Sequence, residues 1–113
     1  MSRSLNMVQL IGNVVRDPEL KYTPTGSAVL TVTVATNRSY RKESGELKEV
    51  TEYTDCVMWS KLAETVSTLI HKGSKVYVQG RLHSREYTTS DGQKRKATEV
   101  AVDEFTLLDK KEQ

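Results

Sequence analysis

Several features are missing from this sequence, and each absence narrows the class of protein. The single cysteine, Cys56, excludes an internal disulfide and any metal cluster held by several cysteines. No apolar run reaches the length of a membrane-spanning helix, and the N-terminus lacks a secretory signal pattern. We therefore expect a cytoplasmic protein with no membrane partner, in which Cys56 packs as a small core residue.

Catalytic and metal-binding patterns are also missing. A metal-dependent nuclease needs clustered carboxylates, whereas the aspartates here are scattered over separate predicted elements. The only histidines, His71 and His83, have no evident third ligand. We therefore expect no catalytic residue, no metal site and no cofactor.

Charge is informative through its distribution. The net charge of +2 does not by itself indicate a nucleic-acid binder. However, three basic residues, Arg38, Arg41 and Lys42, lie close to Tyr40 in the sequence. The basic run at residues 94–96 lies near Tyr87. Basic clusters beside aromatic rings favour nucleic-acid binding. The alternative is that both clusters are merely solvated hairpin loops.

The residue pattern at 51–82 predicts a strand, a helix and a second strand. The length of the chain indicates a single domain, and we expect the rest of it to be organised around this segment. Residues 51–59 alternate as an extended chain must, and the odd positions that share one face are Tyr53, Asp55, Val57 and Trp59. If Cys56 and Met58 face the core, the two rings face solvent, where they can stack on the bases of a single strand. The alternative is a two-sided strand with both rings in the core.

The helix is predicted from Ser60, as N-cap, to a last turn closed by Lys72, with Gly73 at the C′ position. Its apolar stripe comprises Leu62, Val66, Leu69 and Ile70. A helix this short needs tertiary contacts, and in a small β-barrel it would cover the open end. The alternative is an ordinary α+β sandwich.

Four further strands are predicted by alternation, at residues 5–14, 28–37, 75–87 and 96–108, with a short extended piece at 20–22. Turn residues stand at 23–26 and 91–92, and a charged loop at 40–50. The chain is thus mainly β, with five strands, one helix between the third and fourth, and two long hairpins at 40–53 and 83–98. That order is the one described for the OB-fold, a five-stranded Greek-key barrel, although the pattern alone does not exclude another small barrel.

Several segments together resemble the bacterial-type single-stranded DNA-binding protein (SSB) family, over nearly the whole chain. They are residues 6–13 (NMVQLIGN), 17–22 (DPELKY), 35–36 (AT), 49–53 (EVTEY), 60–64 (SKLAE), 72–80 (KGSKVYVQG) and 98–102 (TEVAV). The resemblance implies an OB-fold domain at residues 1–108, followed by a short polar tail at 109–113. It also implies a homotetramer, built as a dimer of dimers, that wraps single-stranded DNA.

The resemblance also assigns roles to residues. The implied base-stacking positions all carry rings here, namely Tyr40, Tyr53, Trp59 and Tyr87. The implied phosphate-contacting positions are Arg3, Arg41, Lys42, Lys48, Lys61, Lys72, Arg85 and Arg95. Family members often have tryptophan where this chain has tyrosine, so we expect a lower affinity per base.

Interfaces between subunits are expected at two places. The resemblance implies that first strands pair across a two-fold axis around Asn6 and Val8, which would also protect an exposed strand edge. Tyr77 is predicted to point outward among polar neighbours and to form the second interface, with Thr54 as a weaker candidate. The alternative for Tyr77 is a plain surface position.

The function that the resemblance implies is non-catalytic binding and protection of single-stranded DNA during replication, recombination and repair, in the nucleoid of the cytoplasm. Sequence preference should be slight, because no base-edge reader is evident. Bacterial members commonly continue into a flexible linker and an acidic tip, which this sequence does not show, so recruitment of replication and repair proteins is in doubt. The alternative function is an OB-fold module that binds partner proteins, such as a primosome assembly factor.

Overall fold

The computed structural model describes residues 3–109, which form six strands and one helix. In chain order these are β1 (Val8–Val14), β2 (Glu19–Tyr22), β3 (Ala28–Arg41), β4 (Leu47–Trp59), α1 (Ser60–Ser67), β5 (Lys75–Thr88) and β6 (Lys94–Leu107). Residues 110–113, which make up most of the predicted polar tail, lie outside the described residues.

The strands form one sheet in the order β1-β5-β6-β4-β3-β2, and β1 also pairs with β3. This last pairing, Asn13 with Ala35 and Val14 with Val34, closes β1, β3, β4, β5 and β6 into a barrel. The ladder between β4 and β6 is parallel, and the others are antiparallel. The predicted five-stranded barrel with one helix between its third and fourth strands is confirmed, and β2 is an additional short strand at the predicted extended piece.

The core follows from the alternation of β3 and β4. The even positions of β3 from Ala28 to Val34 are buried, as are Cys56 and Met58 on β4. Cys56 therefore packs in the core as predicted, and burial raises the pKa of its thiol to about 12. The thiol stays protonated at neutral pH, which makes it a poor nucleophile.

Both predicted ends of the helix were wrong. Trp59 is the N-cap and its side chain makes no capping hydrogen bond, while Ser60 begins the helix with a positive φ of 56°. The helix ends at Ser67, where the Ser67 and Thr68 hydroxyls donate to the carbonyls of Glu64 and Thr65, each at 2.7 Å. Such side-chain bonds compete with continued helix. The helical period therefore stops before Leu69, which is 46% exposed instead of lying on the buried stripe.

The segment after the helix returns to the barrel through a turn. Gly73, with a φ of 94°, donates its N–H to the Val14 carbonyl at 2.8 Å, and the Val14 N–H donates to the Ser74 carbonyl at 2.9 Å. The Lys72 N–H donates to the Asp17 carboxylate at 2.7 Å. Lys72 and Gly73 thus belong to a turn tied to the end of β1, and they do not form the end of the helix.

Helix α1 covers one end of the barrel, as predicted, with Ala63 and Val66 buried against the core. It has eight residues.

Within residues 3–109 no helix has the length and apolar character needed to cross a membrane.

Two glycines allow neighbouring strands of the barrel to approach closely, Gly12 at the β1–β3 closure and Gly80 between β5 and β6. A Cβ on Gly12 would lie against the Ala35 carbonyl oxygen and 2.8 Å from a methyl group of Val34. A Cβ on Gly80 would lie against the Ala101 carbonyl oxygen, next to the register shift between Gln79 and Gly80. In both places the added Cβ would clash with backbone atoms, which cannot change rotamer as a side chain can.

We therefore expect Gly80→Ala to lower the free energy of unfolding by at least about 1–3 kcal/mol, the usual cost of overpacking. Urea denaturation measures this change. Ser84→Ala, on an exposed position of the same strand, is the control and should stay within about 0.5 kcal/mol of the parent. A Gly80→Ala protein as stable as the control would show that β5 and β6 do not need this close approach.

Candidate nucleic-acid interface

All four predicted stacking rings are exposed. Tyr53 is 65% exposed, Tyr87 is 43%, and Trp59 and Tyr40 are each 40%. The interpretation in which Tyr53 and Trp59 belong to the core is therefore wrong, because Cys56 and Met58 occupy the core side of β4. The role of the four rings as stacking platforms stays a prediction.

The rings do not all share one face. Tyr53 and Trp59 lie on one face of the β3–β4 ladder, opposite Ala35 and Val29. Tyr40 pairs with Lys48, an odd number of residues from Tyr53, so the alternation of the unbroken ladder puts Tyr40 on the other face. A single strand of DNA that contacts both Tyr40 and Tyr53 must therefore pass around the edge of this hairpin.

A groove made of two adjoining depressions crosses the barrel at Trp59. The first, of about 280 Å³, is lined by Val29, Thr31, Asp55, Val57, Trp59, His83, Arg85, Ala97, Thr98 and Glu99. The second, of about 290 Å³, is lined by Arg16, Asp17, Pro18, Glu19, Lys21, Val29, Thr31, Thr33 and Asp55. We call them the Trp59 half and the Arg16 half. Three residues line both halves and so mark the junction, namely Val29, Thr31 and Asp55.

The Trp59 half is held in shape by two side-chain contacts. The Trp59 and His83 rings meet edge to face, with centroids 6.4 Å apart. The Arg85 Nε donates to a Glu99 carboxylate oxygen at 2.6 Å, and Glu99 is only 5% exposed. The same guanidinium lies 5.5 Å from the centre of the Tyr87 ring. Arg85 therefore connects Glu99, on the floor of the groove, with Tyr87, a predicted stacking ring. Because Glu99 is bonded through Nε, the two terminal nitrogens of Arg85 make no hydrogen bond to it.

The predicted phosphate-contacting residues fall into two groups. Arg41, Lys42, Lys48, Arg85 and Arg95 lie on the two hairpins, and Lys48 and Arg95 stand directly opposite Tyr40 and Tyr87. Arg3, Lys61 and Lys72 are exposed but line neither half of the groove. The structure thus places cations beside rings on both hairpins, and it does not gather all eight residues into one patch.

Besides Arg85, three hairpin cations already have partners. Arg41 donates to the Gly45 carbonyl at 3.0 Å, and Arg95 donates to the Gln93 side-chain oxygen at 2.8 Å. The Lys42 ammonium lies 3.8 Å from the Glu46 carboxylate. These exposed contacts are weak and can be exchanged for a phosphate at little cost.

Sequence reasoning missed two cations of the groove, Arg16 and Lys21. Lys21 adjoins Tyr22, which is 59% exposed, so the criterion of a cation beside a ring would have selected it. Arg16 follows the end of β1 with no ring beside it, and its position depends on a contact with Thr33 on another strand, at 3.2 Å. No signal in the sequence indicated it.

The predicted first-strand interface lies at an open edge. Within residues 3–109, β1 pairs with β5 along one edge but with β3 only at Asn13 and Val14, so its second edge is unpaired from Val8 to Gly12. The Asn6 side chain donates to the Leu82 carbonyl at 3.0 Å and accepts from the Leu82 N–H at 2.8 Å. These bonds hold the segment that leads into β1 beside β5.

The predicted second interface lies on the outer face of β1 and β5. The half-buried Tyr77 donates its hydroxyl to Gln79 at 2.7 Å and accepts from Gln9 at 3.0 Å. Its strand partner Ile11 is 57% exposed. Thr54 is half-buried on the core face, opposite Val34. Whether these residues contact another subunit stays a prediction.

The fold agrees with comparisons to known proteins. The profile of the Single-strand binding protein family matches residues 5–108. The chain belongs to the single-strand binding protein family. One similar solved structure is a Plasmodium falciparum SSB in complex with single-stranded DNA, at 32% identity and a TM-score of 0.87, covering 96% of this chain and 99% of that one.

A second structure similar to this SSB-family chain is a deletion variant of the single-stranded DNA-binding protein from Thermus aquaticus. The identity is 32% and the TM-score 0.83, over 96% of this chain. The match covers 53% of the Thermus chain, so the present chain spans about half the length of that relative.

The groove of this SSB-family chain is suited to binding. Within residues 3–109 no group of three or more histidine, cysteine, aspartate or glutamate side chains is placed to hold a metal ion. Exposed ring faces beside cations can stack on bases and attract phosphates. The site therefore supports binding of a flexible anionic polymer with flat bases.

Arg85 is expected to stabilise the fold independently of any DNA contact. Arg85→Ala would leave the Glu99 carboxylate without its bond, at a cost of about 1–3 kcal/mol. We expect the low end of that range, because the Arg85 side chain is 57% exposed and its charge is screened. Urea denaturation without DNA measures the loss.

Arg95→Ala is the matched control, since Arg95 contacts only the exposed Gln93 side chain, and its effect should be within about 0.5 kcal/mol. Adding Glu99→Gln to Arg85→Ala should recover part of the loss, because the charge left unpaired is removed. Equal stability of Arg85→Ala and Arg95→Ala would contradict the structural role of the Arg85–Glu99 pair.

Proposed function

We propose that this chain binds single-stranded DNA without catalysing a reaction, and that it protects the strand during replication, recombination and repair. The observation that carries the proposal is the set of four exposed rings, Tyr40, Tyr53, Trp59 and Tyr87, on a barrel of the single-strand binding protein family. The DNA seen with the Plasmodium falciparum relative supports the same ligand class. Each stacked base is typically worth about 1–3 kcal/mol, and stacking tolerates every base.

Phosphates in this proposal meet the cations next to the rings. Lys48 opposite Tyr40 and Arg95 opposite Tyr87 are each placed to attract the phosphate beside a stacked base. Arg41, Lys42 and Arg85 extend these two positions along the hairpins, and Arg3, Lys61 and Lys72 would contact DNA that continues past the groove. Arg16 and Lys21 line the groove itself, where Asp17, Glu19 and Asp55 offset their charges, so they are not part of this set.

Assembly is the second part of the proposal. A homotetramer, formed as a dimer of dimers, would pair the open edge of β1 near Asn6 and Val8 across a two-fold axis. The outer face around Tyr77, with Thr54 as a weaker candidate, would then join the dimers. The unpaired β1 edge within the described chain and the exposed Ile11 beside Tyr77 support these two surfaces.

Trp59 provides a direct test of DNA binding, because it is the only tryptophan. Stacking on a base should quench its fluorescence, so titration with oligo-dT should give saturable quenching and duplex DNA much less. Trp59→Ala should weaken oligo-dT binding by about 1–3 kcal/mol, or roughly 5- to 150-fold. Binding of the variants is read by anisotropy of labelled DNA.

Trp59→Phe is the control, since it keeps a ring on the groove wall and should lose less affinity than Trp59→Ala. Urea denaturation shows whether either variant is destabilised. Unchanged emission when anisotropy shows saturation would mean that Trp59 does not touch DNA, and failure of the parent to bind oligo-dT would refute the proposed function.

The tetramer is tested by Tyr77→Arg, measured by analytical ultracentrifugation at micromolar concentration. A charge placed in a desolvated contact should leave dimers that still bind DNA, because the groove lies elsewhere. Thr65→Arg, on the exposed face of α1, adds the same charge and should leave the tetramer intact. An unaltered Tyr77→Arg tetramer would place the second interface elsewhere, and a monomeric parent would refute the assembly.

A further inference from the structure

The face of β4 that carries the rings has a carboxylate at its centre. Asp55 lies between Tyr53 and Trp59 on that face and lines both halves of the groove. A carboxylate at this point repels a phosphate, so binding of the sugar-phosphate backbone at the junction is unfavourable. The part of a single strand that can approach Asp55 favourably is a base edge that donates hydrogen bonds.

One oxygen of Asp55 is held in place and the other is open. Thr33 stands directly opposite Asp55 and donates its hydroxyl to Asp55 Oδ1 at 2.7 Å, while Arg16 donates to the same hydroxyl at 3.2 Å. Within residues 3–109, Oδ2 has no hydrogen-bond partner and no cationic nitrogen lies within 4.0 Å of the carboxylate. The arrangement therefore fixes the carboxylate and leaves one acceptor oxygen available to a ligand.

The four bases differ in what they offer such an acceptor. Guanine presents two neighbouring donors, its N1–H and its amino group, on the Watson–Crick edge. Cytosine and adenine present an amino group beside an acceptor nitrogen, and carboxylates are known partners of the cytosine amino group. Thymine presents one N–H between two carbonyl oxygens, and both oxygens repel a carboxylate. Single-stranded bases expose this edge to proteins.

We propose that Asp55 reads the Watson–Crick edge of the base held in the groove beside Trp59, favouring guanine and disfavouring thymine at that position. The inference rests on the proposed function and changes one expectation from the sequence, which was that no residue reads base edges. The other three rings stack without regard to sequence. The preference is therefore confined to one base in the stretch that a barrel binds.

The test compares oligo-dT with oligonucleotides of the same length in which a single guanine is moved along the strand. A guanine that reaches the Asp55 position should raise affinity about five-fold, the low end of the discrimination known for paired hydrogen bonds to a base. Asp55→Asn keeps a side-chain oxygen for Thr33 and replaces the open acceptor by an amino donor. It should lose the guanine preference and bind oligo-dT at least as well as the guanine-containing strand.

Asp103→Asn is the matched control, because Asp103 pairs with Arg81 at 3.5 Å and lines neither half of the groove. It should keep the guanine preference of the parent. If Asp55→Asn strengthens binding equally for every oligonucleotide, Asp55 acts only by repelling phosphates and the inference is wrong. Equal parent affinities for all strands would also overturn it while leaving the proposed function intact, whereas no binding to any strand would refute the proposed function itself.

Discussion

Barrel closure is the constraint on which the rest of this structure depends. The core uses the even positions of β3 from Ala28 to Val34 and the Cys56 and Met58 side of β4, so the odd positions of β4 face away from it. Tyr53 and Trp59 are exposed for this reason, and their exposure does not come from a local preference of aromatic residues. Gly12 permits the close backbone contact at the β1–β3 closure, and Gly80 permits the one between β5 and β6 in the barrel wall. A change that opened the barrel would therefore disturb the core and the ring-bearing face together.

The length of the strands has a second consequence. β3, β5 and β6 each have 14 residues and β4 has 13, which is more than a small barrel wall needs, so their ends continue as two hairpins beyond the core. Alternation persists along these arms, so Tyr40 and Tyr53 come to opposite faces of the same ladder. The hairpins thus present rings in more than one direction, a geometry suited to a strand that wraps around a protein and less suited to one lying in a straight channel.

Much of this could be predicted from the sequence where local chemistry decides the outcome. The alternation of residues predicted β3, β4 and their outer faces, and the predicted turns at 23–26 and 91–92 contain Gly26 and Gly92 with positive φ. The end of the helix could not be placed, because the Ser67 and Thr68 hydroxyls overrode the apolar period that continued to Ile70. The orientation of Asp55 and the position of Arg16 could not be predicted either. Both depend on contacts with Thr33, which the pairing of distant strands brings about and no local sequence pattern indicates.

The charges of the groove indicate how a bound strand would be oriented. Arg16, Lys21 and Arg85 are matched there by Asp17, Glu19, Asp55 and Glu99, so the groove offers no net attraction to phosphates. Exposed cations that are not paired with a carboxylate stand instead on the hairpins, with Lys48 opposite Tyr40 and Arg95 opposite Tyr87. Bases directed into the groove and phosphates directed toward the hairpins satisfy both charge patterns, while the reverse orientation would bring phosphates against two carboxylates at the junction and floor. In the proposed complex, this orientation would turn the base edges toward Asp55, where a carboxylate can distinguish them.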